Sequence, residues 1–248
     1  MSDDKQNHLI NVDVNEALRQ IGHVLSVTGE NIRDWFIMAF PNISYSCQKR
    51  LIDNTIKISV YAKKILDGRN IDSKTARRIA DKFGVEWMRN ASLEEDEDIQ
   101  KMWATLLANA LDPNFDDRKV RLAHIHIIKC LSILDVKILN AFIESPRDRI
   151  VYFDYSITSP IIKQEFESHF DATWSEIWES VANLTQLGLV ETIESLNVPS
   201  VNAVSGLKIS EFANRMLSID TVRVLKRGAP HLSNMGVAFI NACISEGL

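Results

Sequence analysis

Apolar residues recur at steps of three and four along much of this chain, the spacing of one helix face. Ile10, Val14, Leu18, Ile21 and Leu25 predict an amphipathic helix over residues 9–27. Residues 30–40 carry a second apolar cluster that ends at Pro41. Leu51, Ile58, Ala62 and Ile65, widened by Ile52 and Ile56, predict a helix over 47–67. Gly68 then falls where a left-handed C-cap is expected. A shorter helix is expected from an Asp72 or Ser73 cap to Phe83, closed by Gly84. Ser92-Leu93-Glu94-Glu95 reads as a capping box, opening a helix over 92–111 with Ile99, Met102, Trp103, Leu106, Leu107 and Ala110 on its apolar face. Asp112-Pro113 stops it, and residues 114–119 read as a polar turn. Two further helices are expected, over 120–130 and from Ser132 to about Glu144.

The pattern then changes. Val151-Tyr152-Phe153 reads as a short strand or as extended chain. Thr173-Trp174-Ser175-Glu176 is a second capping box, opening a helix through Ile177, Val181, Leu184 and Leu187 that Gly188 closes. Leu189 to Ile193 alternates like a strand, and residues 195–206 read as a loop. Thr221 to Leu225 looks like a returning strand, and Ser233 caps a final helix with Val237, Phe239, Ile240 and Cys243. Helices followed by strand, loop and strand are the order of a winged helix. The expected fold is therefore mainly α. It has an N-terminal helical region, residues 1–130, followed by a winged-helix-like module with a small β-hairpin, residues 131–248.

Composition narrows the class of protein. The chain has 248 residues, 46% of them hydrophobic, and a net charge of -5, which excludes disorder as the main state. The polar start Met1-Ser2-Asp3-Asp4-Lys5 lacks a signal-peptide pattern. The apolar run Trp35 to Phe40 is far shorter than the roughly 20 residues a membrane span needs. A soluble, cytoplasmic protein is expected. Cys47, Cys130 and Cys243 are odd in number and widely spaced, so free thiols are expected rather than a disulfide framework.

The small net charge is a cancellation. From Lys57 to Arg89 there are nine basic and four acidic residues, while 144–179 holds three basic and eight acidic ones. The first segment includes Lys57, Lys63, Lys64, Lys74, Arg77 and Arg78, the best candidates for a nucleic-acid or anionic-surface contact. Within it, Thr75 to Val85 resembles the start of a helix-turn-helix. The helix after Thr173 has no Lys or Arg before Leu187, and phosphate contact needs cations. Groove reading by the winged-helix-like module is therefore not expected.

Candidate chemistry is sparse. His124 and His126 would lie about 200° apart on a helix and could not share one ion. The acids Glu94 to Asp98 suit the positive end of a helix dipole better than a cation. Asp112, Asn114 and Asp116 have the opening spacing of a calcium loop, but Pro113 and the missing glycine and terminal glutamate count against it. No nucleophile elbow, phosphate loop or dinucleotide fingerprint occurs. No catalytic, cofactor-binding or metal-binding residues are assigned, and no enzyme is expected. Trp174 and Trp178 stand four apart on one helix and are the best candidates for a partner-binding edge.

Four segments together carry a resemblance. They are Ala91 to Pro113, with its acidic run and Trp-Ala-Thr-Leu-Leu-Ala-Asn-Ala-Leu; Cys130-Leu-Ser-Ile-Leu-Asp-Val-Lys-Ile-Leu139; Leu184 to Glu191; and Leu232 to Cys243. In this order the chain resembles the abortive-infection alpha family of bacterial proteins, over roughly residues 45–245. The resemblance implies a bacterial or prophage-borne antiphage-defence protein and brings no catalytic residues with it. The leading expectation is a non-enzymatic protein acting through protein contacts, with a phage-encoded partner among the candidates. A homo-oligomer is compatible with this. A nucleic-acid-binding regulator using 57–89 is a rival reading, not favoured. A membrane-perturbing effector using 35–40 is a second and weaker rival.

Overall fold

The computed structural model describes residue 22 and residues 29–41, 45–72, 74–144, 160–192 and 230–244. Within them the chain is mainly helical. The helices are α1 (Gly29–Ala39), α2 (Tyr45–Gly68), α3 (Asp81–Ala91), α4 (Glu97–Leu111), α5 (Leu122–Ile128), α6 (Ile133–Glu144), α7 (Pro160–Phe170), α8 (Trp174–Gln186) and α9 (Asn234–Cys243). A short 3-10 turn occupies Asp117–Lys119. Strands β1 (Val190–Thr192) and β2 (Pro230–Leu232) pair antiparallel, with Val190 opposite Leu232. The chain forms two compact units, Met1–Leu131 with Ala238–Leu248, and Ser132–Val237. The helix expected over 9–27 is described only at Gly22. The extended segment 151–153, the loop 195–206 and the returning strand 221–225 lie outside the described residues.

In the first unit α4 is the central element. Apart from Lys101, every residue from Ile99 to Leu111 is buried. A helix buried on nearly every side must be surrounded. Leu51, Ile58, Ala62 and Leu66 of α2 are buried where that helix packs along α4. Trp87 of α3 is fully buried, and its indole N–H donates to the Trp103 carbonyl at 3.1 Å. The Asn109 amide donates to the Ala242 carbonyl of α9 at 2.8 Å. The Phe239 ring stands edge-on to His124 at 5.8 Å.

Three local expectations are corrected. The helix expected from Asp72 or Ser73 to Phe83 begins only at Asp81. The Asp72 carboxylate accepts from the backbone of Lys74 and Thr75, making a turn, and Arg77 to Ala80 run without helix before α3 starts at Asp81. Such a local bond competes with the helical ladder. Gly84 is therefore inside α3, where the Trp35 indole of α1 lies against it, and the helix-turn-helix register is lost. At the end of α2 the left-handed residue is Asn70 (φ 57°), not Gly68. Ile71 N–H reaches the Leu66 carbonyl at 2.9 Å, and both side chains are buried. That apolar pair places the cap two residues later. Ser92 and Glu95 do not form a capping box either. The Ser92 hydroxyl bonds back to the Met88 carbonyl, and α4 is capped by Asp96, which accepts from the N–H groups of Asp98 and Ile99.

In the second unit the expected capping box is present. Thr173 accepts from the N–H of Glu176, and the Glu176 carboxylate accepts from the N–H of Thr173 at 2.8 Å. Helix α8 ends on Gly188 (φ 73°), with Leu189 N–H bonded to the Leu184 carbonyl and both side chains fully buried. The chain turns directly into β1. Ser233 caps α9, accepting from the N–H of Gly236 at 2.9 Å.

Candidate partner-binding edge

Helices α7 and α8 meet at a sharp corner. Asp171 adopts φ 51°, and the N–H of Ala172 reaches the Glu167 carbonyl. The Glu167 carboxylate also accepts from the N–H of Trp174 at 2.8 Å, so one acid fixes the start of α8 to the last turns of α7. This geometry sets Trp174 and Trp178 beside Phe166. Trp174 is edge-on to Phe166 at 5.8 Å and to Trp178 at 5.9 Å, within the range where tilted rings attract. All three are half-buried, whereas Ile177, Val181 and Leu184 on the other side of α8 form the core. Lys163 reaches across from α7 and places its Nζ 5.6 Å from the Trp174 ring centre.

The structure thus brings the two expected tryptophans into one edge and adds Phe166 and Lys163 from α7. Helix α7 itself is missing from the expectations. Its signals are Pro160 in the first turn and Ile162, Phe166 and Phe170 at steps of four. Carboxylates outnumber cations on these two helices. Glu165, Asp171, Glu176 and Glu179 are exposed, and Lys163 is the single Lys or Arg from Pro160 to Leu187. The Glu176 carboxyl sits below its ordinary range because the Thr173 N–H and hydroxyl bond to its charged form.

Beneath this edge lies a buried carboxylate. Asp135 of α6 accepts from the N–H of Ser132 at 2.7 Å, its hydroxyl at 2.9 Å, the Asn183 amide at 2.9 Å and the Ser180 hydroxyl. Four donors converge on this one buried carboxyl group. The arrangement caps α6 and ties it to α8. A shallow hollow nearby is lined by Lys137, Asn140, Ala141, His169 and Phe170. It lies at the C-terminal end of α7, where Lys137 reaches the Phe170 carbonyl at 3.5 Å. A helix C-terminus attracts cations, and Lys137 already serves there.

The basic candidates are more dispersed than their spacing suggests. Lys63 is paired with Asp67, and Lys64 stands over the Tyr61 ring at 5.5 Å. Lys57 is exposed and lies close enough to Glu97 to help hold that carboxyl low, after its bonds to Tyr61 and Lys101. Arg77 is engaged with the carbonyls of Pro113 and Phe115, locking the end of α4. Lys74 and Arg78 are exposed. The acidic run beside α4 is divided among a cap (Asp96), backbone N–H groups (Glu94) and ion pairs (Glu95 with Arg50, Glu97 with Lys101).

His124 is buried and His126 exposed on α5, so the two rings do not converge. Burial, with a smaller contribution from Arg121, pushes His124 down to about 4. Asp112 accepts from the N–H of Asn114 and pairs with Arg69 at 3.0 Å, and Asp116 pairs with Arg118, so these acids hold a turn rather than converge on a cation. Cys47 and Cys130 are exposed, and burial raises the Cys243 thiol well above its usual value. In α1, Trp35 and Phe36 are core residues, which leaves only Ile37 and Met38 of that apolar run as large exposed side chains. No described helix is long and apolar enough to cross a membrane.

Comparison with curated proteins and with solved structures gives no match. The family model described as abortive infection alpha matches residues 53–243. That span takes in the central helix α4, the Asp135 network, the tryptophan edge and α9. The chain therefore belongs to the abortive infection alpha family, whose name points to abortive-infection defence.

Proposed function

We propose that this protein acts in the bacterial cytoplasm as a non-enzymatic component of antiphage defence, working through contact with another protein. The observation that carries the reading is the Phe166–Trp174–Trp178 row. Large aromatic side chains held by a rigid helix corner, and left half-exposed, are what protein interfaces use as anchors. Helices α6 to α8 followed by the β1–β2 pair support a winged-helix-like reading of the second unit. The acidic surroundings of α8 favour a protein over a nucleic-acid partner for that module. The buried polar groups around Asp135 serve as caps and cross-helix ties, which supports a scaffold rather than a reaction site.

The test is phage plating on bacteria that carry the gene. The combined Trp174→Ala and Trp178→Ala variant is expected to lose protection while accumulating as a folded protein. Nucleotide or nucleic-acid turnover by the purified chain, abolished by a point substitution, would contradict the non-enzymatic reading.

A further inference from the structure

We propose that the aromatic edge of α7 and α8 takes a cationic, arginine- or lysine-bearing segment of a partner protein. The inference rests on the protein-contact reading and specifies what kind of partner the edge fits. Two observations carry it. The first is that the Trp174 ring already holds a cation: Lys163 Nζ stands 5.6 Å from its centre. An indole face attracts cations through its quadrupole, and a guanidinium also stacks on it. Lys163 therefore acts as an internal occupant that an incoming arginine can replace. The second is the charge around the edge. Glu165, Asp171, Glu176 and Glu179 are exposed on the same two helices and their corner, with Lys163 as the single Lys or Arg from Pro160 to Leu187. The net negative charge of these helices favours a cationic segment and disfavours a nucleic acid or an acidic peptide. Replacing Lys163 with a neutral residue removes the competitor and should tighten binding through the ring itself.

The experiment is calorimetric titration of the full chain with a short oligo-arginine peptide at low salt, with oligo-glutamate and single-stranded DNA as controls. Binding of oligo-arginine alone is expected. Lys163→Gln should tighten it by about threefold, the size of one exposed cation–π contact. In a Trp174→Ala background the same Lys163→Gln change should give a clearly smaller gain, because the ring is gone. Equal tightening in both backgrounds would reduce the effect to bulk charge and overturn the proposal. If the Trp174→Ala background does not fold, Trp174→Leu takes its place, and Lys163→Gln alone still decides: no tightening overturns the proposal. Self-association of the chain that Trp174→Ala abolishes, without peptide binding, would make the occupant a second copy and also overturn it. If phage protection depends on Trp174 and Trp178 but oligo-arginine does not bind, the protein-contact reading stands and this inference fails. If protection is indifferent to both tryptophans, the underlying reading fails first.

Discussion

Single residues decide how closely the helices approach. Gly84 is the clearest case, since a methyl built on it would overlap the Trp35 indole. The indole also donates to Asp81 at 3.2 Å, so it cannot swing away without losing that bond. Alanine at this position gains helix propensity, roughly 1 kcal/mol. The forced repacking outweighs that gain at about 1–3 kcal/mol. Gly84→Ala should therefore lower the unfolding free energy in urea; an equal or higher value would show that α1 does not lie against α3 as described. His124 sets a pH dependence. Its ring is buried against Phe239, and its folded-state value is lowered from 6.5 to about 4. Between these values the unfolded chain binds a proton that the native chain refuses. The contribution of His124 to stability thus falls as pH drops from about 6.5 toward 4, by roughly 3 kcal/mol in all. Above about 6.5 the effect vanishes. His124→Phe should flatten this part of the profile, measured as unfolding free energy against pH. An unchanged slope would mean that the ring is protonated in the native state.

At the scale of elements, the long apolar stripes are legible, as are the Thr173 box, the Gly188 closure and the Ser233 cap, whereas the end of α2 and the starts of α3 and α4 are not. The stripe of α2 and the apolar face of α4 can be read from spacing alone, because burial selects apolar residues at fixed steps. The ends depend on which of several capable residues the backbone uses. Ser92 and Asp96 both stand before the α4 stripe, but Ser92 is buried behind α3 and bonds back to Met88, which leaves Asp96 as the cap. Asp96→Ala should accordingly cost about 1 kcal/mol in a denaturant titration, while Glu95→Ala, which loses only an exposed ion pair, should cost a few tenths. The reverse order would restore the Ser92–Glu95 box. Gly68 and Gly84 illustrate the same rule. A glycine permits a left-handed cap, but the buried pair of Leu66 and Ile71 determines where that cap falls. In the candidate site the tryptophan pair was legible from its four-residue step. Lys163 and Phe166 were not, because the corner at Asp171 that brings them to Trp174 depends on a tertiary bond from Glu167.

Across the whole molecule, charge is distributed rather than balanced. The basic segment 57–89 loses much of its freedom to Asp67, the Tyr61 ring and the carbonyls beyond α4. The acidic helices α7 and α8 carry exposed carboxylates as well as the aromatic row. This asymmetry makes the second unit the better candidate for contact with a partner protein. The contact proposed for it lies on an edge that carries little of the hydrophobic core. Removing that edge should therefore spare the fold and abolish the function. The most direct measurement is phage plating efficiency on cells expressing the native chain or the Trp174→Ala, Trp178→Ala variant, with the unfolding midpoints of both purified proteins compared. Loss of protection with nearly unchanged midpoints is the predicted result; full protection by the folded variant would contradict it.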